Sequence, residues 1–290
     1  MSLTDDVRAN ARETAEQARH VTVDLDRLSE LEPGQPPSLD PERHWLEGAP
    51  EDVADFMLAL DAINFGSGWF PTLRKRPGMS GYFTVASSLT DFWRASGGWA
   101  LDELQTLRAD DVASVLGQEP GHELMALYAE ALRDLGRFLD GRRALDLVEE
   151  SKGSAERLAT MLSTGMPFFD DVGFWKRAQI TPNDLALAGV AEFHDLDRLT
   201  IFADNLVPHV LRVDGVLRYE PALGARIDAG VLLPPGGAER EIRGCAVYAC
   251  ELLSERLGVP PRSIDVALWH RGQSPAYKAV PRHRTRTVFY

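Results

Sequence analysis

The chain has 290 residues, of which 44% are hydrophobic and 26% are charged, a composition typical of a globular protein large enough to bury a core. No apolar run approaches the roughly 20 residues needed to cross a bilayer, which excludes a membrane-spanning helix. The 31 basic and 44 acidic residues give a net charge of −13, which disfavours binding of intact nucleic acid because such binding requires Lys and Arg to neutralise phosphates.

The N-terminal residues and the cysteines indicate the compartment. Residues 1–19 are polar and charged and lack the apolar segment of a secretory signal. Cys245 and Cys250 are the only cysteines, and their spacing in a predicted helix points them in different directions, which disfavours a shared metal ion. We interpret them as small buried apolar side chains and expect a cytoplasmic protein without disulfides.

Side chains at helical spacing recur along most of the chain. Helices are predicted over 4–20, 50–65, 120–138, 154–163 and 242–257. The first of these is polar and Ala-rich, which predicts a helix exposed to solvent. Five prolines within 31–50 indicate a connector without regular structure. Because repeats and long linkers are absent from the sequence, we expect one mainly helical domain that spans residues 1–290.

Strand patterns are sparse. The segment 212–217 contains Asp214-Gly215 at its centre, and this pair favours the two-residue turn of a β-hairpin. The segment 230–235 is consistent with either a short strand or a turn. The sequence therefore predicts a mainly α fold with at most a short β-hairpin.

The helix predicted to start at Pro50 carries a carboxylate near its C-terminal end. Asp61, Asn64 and Phe65 have the spacing of one helical face, and a carboxylate at that end is disfavoured by the helix dipole. Trp69 follows after two glycines, so an aromatic ring lies close in sequence to groups that read the edge of a planar ligand. A helix end followed by a core tryptophan would give the same pattern, and the residues alone leave both interpretations open.

The residues from 181 to 206 predict two helices joined by a tight hairpin. Thr181 is a good N-cap with Pro182 at the first helical position, and a second helix is predicted over 195–206. Asp204 would then lie at the C-terminal end of that helix among apolar neighbours, where dipole and desolvation both disfavour a charge. Misplaced carboxylates of this kind are candidates for function, although an exposed Asp at a helix terminus is the simpler alternative.

The C-terminal residues 282–286 hold three arginines and a histidine in an otherwise acidic chain. The following residues 287–290 include apolar side chains that could anchor the segment. Arg284 and Arg286, two residues apart, would then project from one side of an extended segment and bind one phosphate group. A solvated basic tail remains the alternative.

Six short blocks occur in order along the chain: Leu60–Phe65 followed by Trp69, Lys176–Ile180, Phe202–Pro208, Glu241–Arg243, Ile264–Trp269 and His283–Arg286. Together they resemble the queuosine salvage protein family, although residues 66–68 depart from the aromatic-rich version of eukaryotic members. The resemblance implies hydrolysis of the N-glycosidic bond of queuosine 5′-monophosphate to queuine and ribose 5-phosphate. It also implies a core similar to helix–hairpin–helix DNA glycosylases and neither a metal nor an organic cofactor.

The resemblance further implies roles for individual residues. Asp204 would be the catalytic carboxylate, and Lys176 would keep it ionised or bind the phosphate, unless Lys176 is an ordinary surface lysine. The remaining candidates are Asp61, Asn64 and Asp265 for the base edge, Phe65, Trp69 and Trp269 for stacking on the base, and Arg284 and Arg286 for the 5′-phosphate.

These features predict a small-molecule substrate, with no intact nucleic acid, no membrane and no partner chain, so that the protein acts as a monomer. Two other classes of protein remain open. One is a non-catalytic modified-nucleotide-binding protein, which would keep the base-reading groups without needing Asp204. The other is a helical interaction protein in which the unusual aspartates only cap helices. Binding of the nucleotide would reject the last, and turnover would reject both.

Overall fold

A computed structural model describes residues 2–31 and 38–290. It confirms the mainly helical fold, since helices dominate the described residues and strands are confined to one small sheet. The α-helices of this part of the chain are α1 (Leu3–Gln17), α2 (Leu25–Ser29), α3 (Pro50–Ala62), α4 (Gly81–Ser96), α5 (Leu101–Leu104), α6 (Ala109–Leu116), α7 (Glu123–Leu139), α8 (Ala144–Glu150), α9 (Ala155–Gly165), α10 (Lys176–Leu187), α11 (Val207–Val213), α12 (Pro221–Asp228), α13 (Ala238–Leu257), α14 (Pro261–Gly272) and α15 (Pro275–Lys278).

The predicted β-hairpin over 212–217 is wrong. Asp214-Gly215 instead forms the turn that ends α11, with Gly215 in the left-handed region at φ +80°. A left-handed glycine suits a helix C-terminus as well as a hairpin, so the dipeptide alone does not distinguish them. The strand β2 (Leu217–Tyr219) that follows pairs antiparallel with β1 (Val21–Val23) from the start of the chain. The segment 230–235 forms no strand.

The chain divides into two compact units, each built from discontinuous segments. The sheet unit comprises Met1–Pro37, Val172–Lys176 and Asp197–Thr287, and the helical unit comprises Ser38–Asp171, Arg177–Leu196 and Val288–Tyr290. The single domain expected from the sequence stays a prediction.

The long helix α13 forms the centre of the sheet unit. Ile242, Ala246 and Ala249 recur at helical spacing and are fully buried, which confirms the predicted apolar face. Helix α1 packs against α13 and buries Val7 and Ala11. The expectation that α1 is a solvated helix is therefore wrong, because Leu3, Thr4, Val7 and Ala11 form a buried face on this otherwise polar helix. Cys245 and Cys250 are buried and free, as predicted.

The helical unit is organised around α3, which packs against α4, α7 and α8. Its apolar stripe, including Phe56, Met57 and Leu60, is buried. The predicted helices over 120–138 and 154–163 are confirmed as α7 and α9. Residues 38–49 form neither helix nor strand, as their prolines predict, while residues 32–37 of that connector lie outside the described part of the chain. No helix in the described ranges is both long and apolar enough to span a membrane.

The helical hairpin predicted over 181–206 is wrong. Helix α10 begins at Lys176 and runs through Thr181 and Pro182, and the Thr181 hydroxyl donates to the carbonyl of Arg177 at 3.0 Å. Residues 196–198 form only a 3₁₀ turn, and no helix follows until α11. A Thr-Pro pair is typical of a helix start, but here the helix has already begun at Lys176. The likeness to helix–hairpin–helix glycosylases stays a prediction.

Two helical glycines in the sheet unit differ in the space around them. A Cβ built on Gly244 of α13 would lie 2.5 Å from Cγ2 of Thr14, whereas one on Gly224 of α12 would meet nothing nearer than 3.8 Å. We expect Gly244→Ala to lower the free energy of unfolding by about 1–3 kcal/mol through overpacking. Gly224→Ala should raise it by about 0.5–1 kcal/mol because alanine favours the helix.

Urea unfolding of the two variants beside the parent protein measures both changes. A stabilising Gly244→Ala would show that α1 does not sit tightly on α13.

Candidate active site

Asp204 lies in an irregular segment just before α11, rather than at the C-terminal end of a helix as predicted. Its Oδ1 accepts hydrogen bonds from the backbone N–H groups of Leu206 at 2.7 Å and Val207 at 3.1 Å. A carboxylate that receives the first N–H groups of a helix is a capping group, and the dipole there favours negative charge. At the start of α11 the helix dipole and the capping hydrogen bonds favour a negative charge, whereas at the helix end expected from the sequence the dipole would disfavour it. The Asp204 side chain is half-buried.

The two residues before Asp204 are fixed by side chains from distant helices. The N–H of Phe202 donates to Oδ1 of Asp265 on α14 at 2.8 Å. Nε of Arg243 on α13 donates to the carbonyl of Ala203, also at 2.8 Å. Asp265, predicted to read the base edge, thus has one oxygen engaged in holding the segment that carries Asp204.

The residue after Asp204 is fixed by the C-terminal segment. Nδ2 of Asn205 donates to the carbonyl of His283 at 3.1 Å. Burial lowers the pKa of Arg282, and the negative charge of Asp204 partly offsets this by favouring the cation. Arg282 is therefore a cation whose charge interacts with that of Asp204, and the sequence analysis did not single it out. Arg243, Asn205 and Arg282 were missed because long-range contacts carry their roles, although all three lie in or beside the blocks that carried the resemblance.

The C-terminal segment 282–287 forms neither helix nor strand and is anchored, which agrees with one of the two interpretations that the sequence left open. His283 and Thr285 are buried, and Arg284 and Arg286 alternate with them along the opposite side. Nη2 of Arg284 donates to the carbonyl of Gly230 at 3.0 Å, so part of this guanidinium holds the segment. Arg286 is the more exposed of the two arginines.

Lys176 is buried, with only 5% of its surface exposed, so it is not the surface lysine of the alternative interpretation. It is the first residue of α10 and follows Trp175, a non-glycine residue in the left-handed region at φ +46°. Such a conformation costs free energy and persists only where the surroundings enforce it. The entry into α10 is therefore a constrained point of the sheet unit.

Trp269 is half-buried on α14 and meets the ring of His270 edge-on, with centroids 5.5 Å apart. Asp265 lies four residues earlier on the same helix, so the two share a face. The stacking role of Trp269 stays a prediction.

In the helical unit, Asp61 is 1% exposed and is the penultimate residue of α3. The helix ends at Ala62, so Asn64 and Phe65 do not continue its face and the predicted shared helical face is wrong. The N–H of Phe65 instead donates to the carbonyl of Ile63 at 2.8 Å, which turns the chain sharply. Residue spacing predicted a helix three residues too long because nothing in the sequence marks its last turn.

Arg177 holds the backbone around this turn. Its guanidinium donates to the carbonyls of Ala62 at 2.6 Å and Val288 at 2.7 Å, and it lies over the ring of Phe65 with its central carbon 4.6 Å from the centroid. Burial lowers the pKa of Arg177 to about 9, against the opposing charges of Asp171 and Asp61. Sequence reasoning missed this residue, which lies beside Lys176 in the same block.

The aromatic side chains after α3 are part of the core. Trp69 is buried, and its Nε1 donates to Glu123 at 2.8 Å. Phe65 meets Tyr128 edge-on, with centroids 5.0 Å apart. The contacts of both rings fit the core interpretation that the sequence left open, and their stacking on a base stays a prediction.

A second acidic residue in the helical unit was also missed. Burial raises the pKa of Tyr82 on α4, and the negative charges of Asp184 and Asp61 raise it further. Nδ2 of Asn183 donates to Asp184 at 3.0 Å, and both side chains are buried. Two buried carboxylates and a phenol therefore lie within electrostatic reach of one another. Groups of this kind can accept from and donate to the polar edge of a base.

Among the residues that the structure describes, no three His, Cys, Asp or Glu side chains are placed to hold a metal ion together.

Comparison with known sequences gives a consistent result. A model of the queuosine salvage protein family matches residues 44–290. A Sphaerobacter thermophilus protein named queuosine 5′-phosphate N-glycosylase/hydrolase is 34% identical over an alignment that covers 98% of this chain and 97% of the relative. A Mus musculus protein of the same name is 27% identical, with 98% of each chain covered. A Dictyostelium discoideum relative of that name is 38% identical over 41% of this chain and 40% of its own.

The burial of His283 generates a pH-dependence prediction. Burial, together with the nearby charges of Arg243 and Arg282, lowers the pKa of His283 from 6.5 to about 3, so the folded protein keeps this ring neutral. The unfolded chain binds a proton below pH 6.5, and this residue should therefore cost stability progressively as the pH falls from 6.5 towards 3. Replacing His283 with Gln should make the free energy of unfolding less dependent on pH between 7 and 5.

Urea unfolding at several pH values measures this slope. His194→Gln is the control, because His194 is exposed and its replacement should leave the slope unchanged. Parallel curves for His283→Gln and the parent protein would contradict a neutral buried ring.

Proposed function

The chain belongs to the queuosine salvage protein family, and we infer that it hydrolyses the N-glycosidic bond of queuosine 5′-phosphate to release queuine and ribose 5-phosphate. The observation that carries this proposal is the similarity to proteins named for that activity over nearly their whole length. A binding protein without catalysis is not favoured, because the names of these relatives state a hydrolase activity. The decisive experiment is incubation with queuosine 5′-monophosphate followed by chromatography for free queuine.

Asp204 is proposed as the catalytic carboxylate. Cleavage passes through a sugar with positive character at C1′, so the site needs a fixed negative charge and a group that activates water. Two backbone N–H groups hold Oδ1, and no donor among the described residues bonds to Oδ2. We assign Oδ2 to the sugar and to the attacking water, with Oδ1 keeping the carboxylate in place. Lys176, which is buried, is proposed to lie beside this carboxylate as a cation.

The leaving group places a further demand on the protein. A 7-deazapurine has carbon where guanine has N7, so protonation of that atom cannot assist departure of the base. Hydrogen bonds donated to the base, at its pyrimidine edge or elsewhere, must therefore stabilise the departing charge. Asp61, Asn64 and Asp265 are proposed to recognise the base by accepting from its N1–H and exocyclic amine, and Phe65, Trp69 and Trp269 are proposed for contact with the ring.

The proposed substrate is the mononucleotide rather than intact tRNA. A surface with a net charge of −13 repels a polyanion, whereas a few local cations suffice for one phosphate. Arg286 and Arg284 are proposed to bind this phosphate. We further propose that the protein works in the cytoplasm as a monomer, consistent with its two buried, unbridged cysteines.

Asp204→Asn tests the catalytic carboxylate. The change is isosteric and keeps an acceptor for the two N–H groups, so the fold should persist while the rate of queuine release falls at least tenfold, about 1.4 kcal/mol of transition-state stabilisation or more. Single-turnover chromatography measures the rate, and thermal unfolding checks the fold.

Asp24→Asn provides a matched control, since Asp24 caps α2 by accepting from the N–H of Arg27 at 3.0 Å. This variant should retain the parent rate. A rate for Asp204→Asn above a tenth of the parent value would remove Asp204 from the catalytic role.

Arg286→Ala tests phosphate recognition. Charge-assisted hydrogen bonds contribute on the order of 1.5–3 kcal/mol each, so KM for the 5′-monophosphate should rise at least tenfold while KM for the unphosphorylated nucleoside changes little. Arg284→Ala should raise KM for the nucleotide too, and it should also lower stability because the bond to the Gly230 carbonyl is lost. Equal losses on nucleotide and nucleoside in both variants would place the phosphate elsewhere, with Lys176 as the next candidate.

A further inference from the structure

We infer that Arg243 is a positioning residue for the proposed reaction, and that it fixes the segment carrying Asp204 and the segment carrying Lys176 through one guanidinium group. This inference rests on the proposed function. Arg243 itself is not proposed to contact the substrate. Within the sheet unit, Arg243 makes a hydrogen bond to the first segment and a ring contact with the second.

The first attachment fixes the peptide plane that leads into Asp204. Nε of Arg243 donates to the carbonyl of Ala203 at 2.8 Å, and the arginine is only 2% exposed. The carbonyl of Ala203 and the N–H of Asp204 belong to the same planar peptide group. Holding that carbonyl therefore sets the direction in which the Asp204 main chain starts. Because the segment is neither helix nor strand, no ladder of backbone hydrogen bonds would otherwise do this.

The second attachment fixes the entry into α10. The guanidinium carbon of Arg243 lies 4.0 Å from the centroid of Phe174, within the range of a cation–π contact. Phe174 is followed by the left-handed Trp175 and then by Lys176. Because Trp175 is conformationally constrained, fixing the Phe174 ring leaves Lys176 little freedom to change its position.

The chain before Phe174 is also held tightly. Gly173 has φ +89°, and a Cβ there would lie 2.8 Å from Nη2 of Arg240. Nδ2 of Asn10 donates to the carbonyl of Gly173 at 3.0 Å, and Nη2 of Arg240 donates to that of Val172 at 3.0 Å. The contact of Arg243 with Phe174 thus acts on a segment whose upstream end is already fixed.

Only arginine can make both attachments at once. A planar guanidinium stacks through its face while it donates in its plane, whereas a lysine ammonium is a point charge that cannot do both. Nη1 of Arg243 also lies 3.5 Å from Oε1 of the buried Glu239, one turn earlier on α13. Removing Arg243 alone would leave the Glu239 carboxylate buried without this cation, and an uncompensated buried charge strongly destabilises the fold.

This ion pair allows structural and positioning roles to be separated. Arg243→Met keeps an apolar stem but removes the donor and the cation, so it should lower both the melting temperature and kcat. Adding Glu239→Gln removes the stranded carboxylate and should recover most of the lost melting temperature. If Arg243 positions the two segments, kcat of the double variant should stay at least tenfold below the parent value, with KM for queuosine 5′-monophosphate changed less than threefold.

Arg256→Met is the matched control. Arg256 lies on the same helix and donates to the carbonyls of Leu28 and Ser29, far along the chain from either segment. This variant should lose stability and keep the parent kcat. Arg243→Lys, which keeps the charge without the planar group, should remain folded with kcat still reduced.

The outcomes separate the two inferences. Absence of queuine formation by the parent protein would overturn the proposed function, and the positioning role with it. Normal turnover by the parent, with kcat recovering in step with the melting temperature in the double variant, would overturn the positioning role alone. A tenfold rise in KM without loss of kcat would also overturn it, since that pattern belongs to a residue that binds substrate.

Discussion

A chain segment that is neither helix nor strand leaves its carbonyl oxygens without regular partners, and a buried carbonyl must be bonded in some other way. Arginine meets this need in both units because its guanidinium offers several donors in a fixed plane. Arg243 bonds the carbonyl of Ala203 in the sheet unit. Arg177 bonds the carbonyls of Ala62 and Val288 in the helical unit. Each arginine thereby holds an irregular segment that carries candidate residues.

A buried cation must itself be neutralised, and this links structure to function at Asp61. In the sheet unit the compensating charge near Arg243 includes Glu239, which has no proposed part in the reaction. In the helical unit the charges that favour the cationic form of Arg177 include that of Asp61, a candidate for the base edge. Loss of the Asp61 carboxylate would therefore weaken the backbone around α3 as well as any hydrogen bond to a base, and the two effects have to be measured separately.

The sequence predicted elements whose signal is repeated over several turns, and failed where one or two residues carried the signal. Helices α7, α9 and α13 follow from apolar periodicity. Asp214-Gly215 and Thr181-Pro182 each fit two local structures, and only packing decides between them. Asp204 was singled out for the wrong reason, as a misplaced helix-end carboxylate, whereas it caps the following helix. Arg243 could not be found from spacing because its partner, Ala203, lies on a different element.

The sheet unit is assembled from three separated stretches of chain, with most of the helical unit encoded between them. During synthesis α1 and β1 are made before the helical segments, and their partners α13 and β2 are made after most of them. The apolar face of α1 therefore cannot pack against α13 until the intervening helical segments have been translated. Closing contacts between segments so far apart in sequence slows folding.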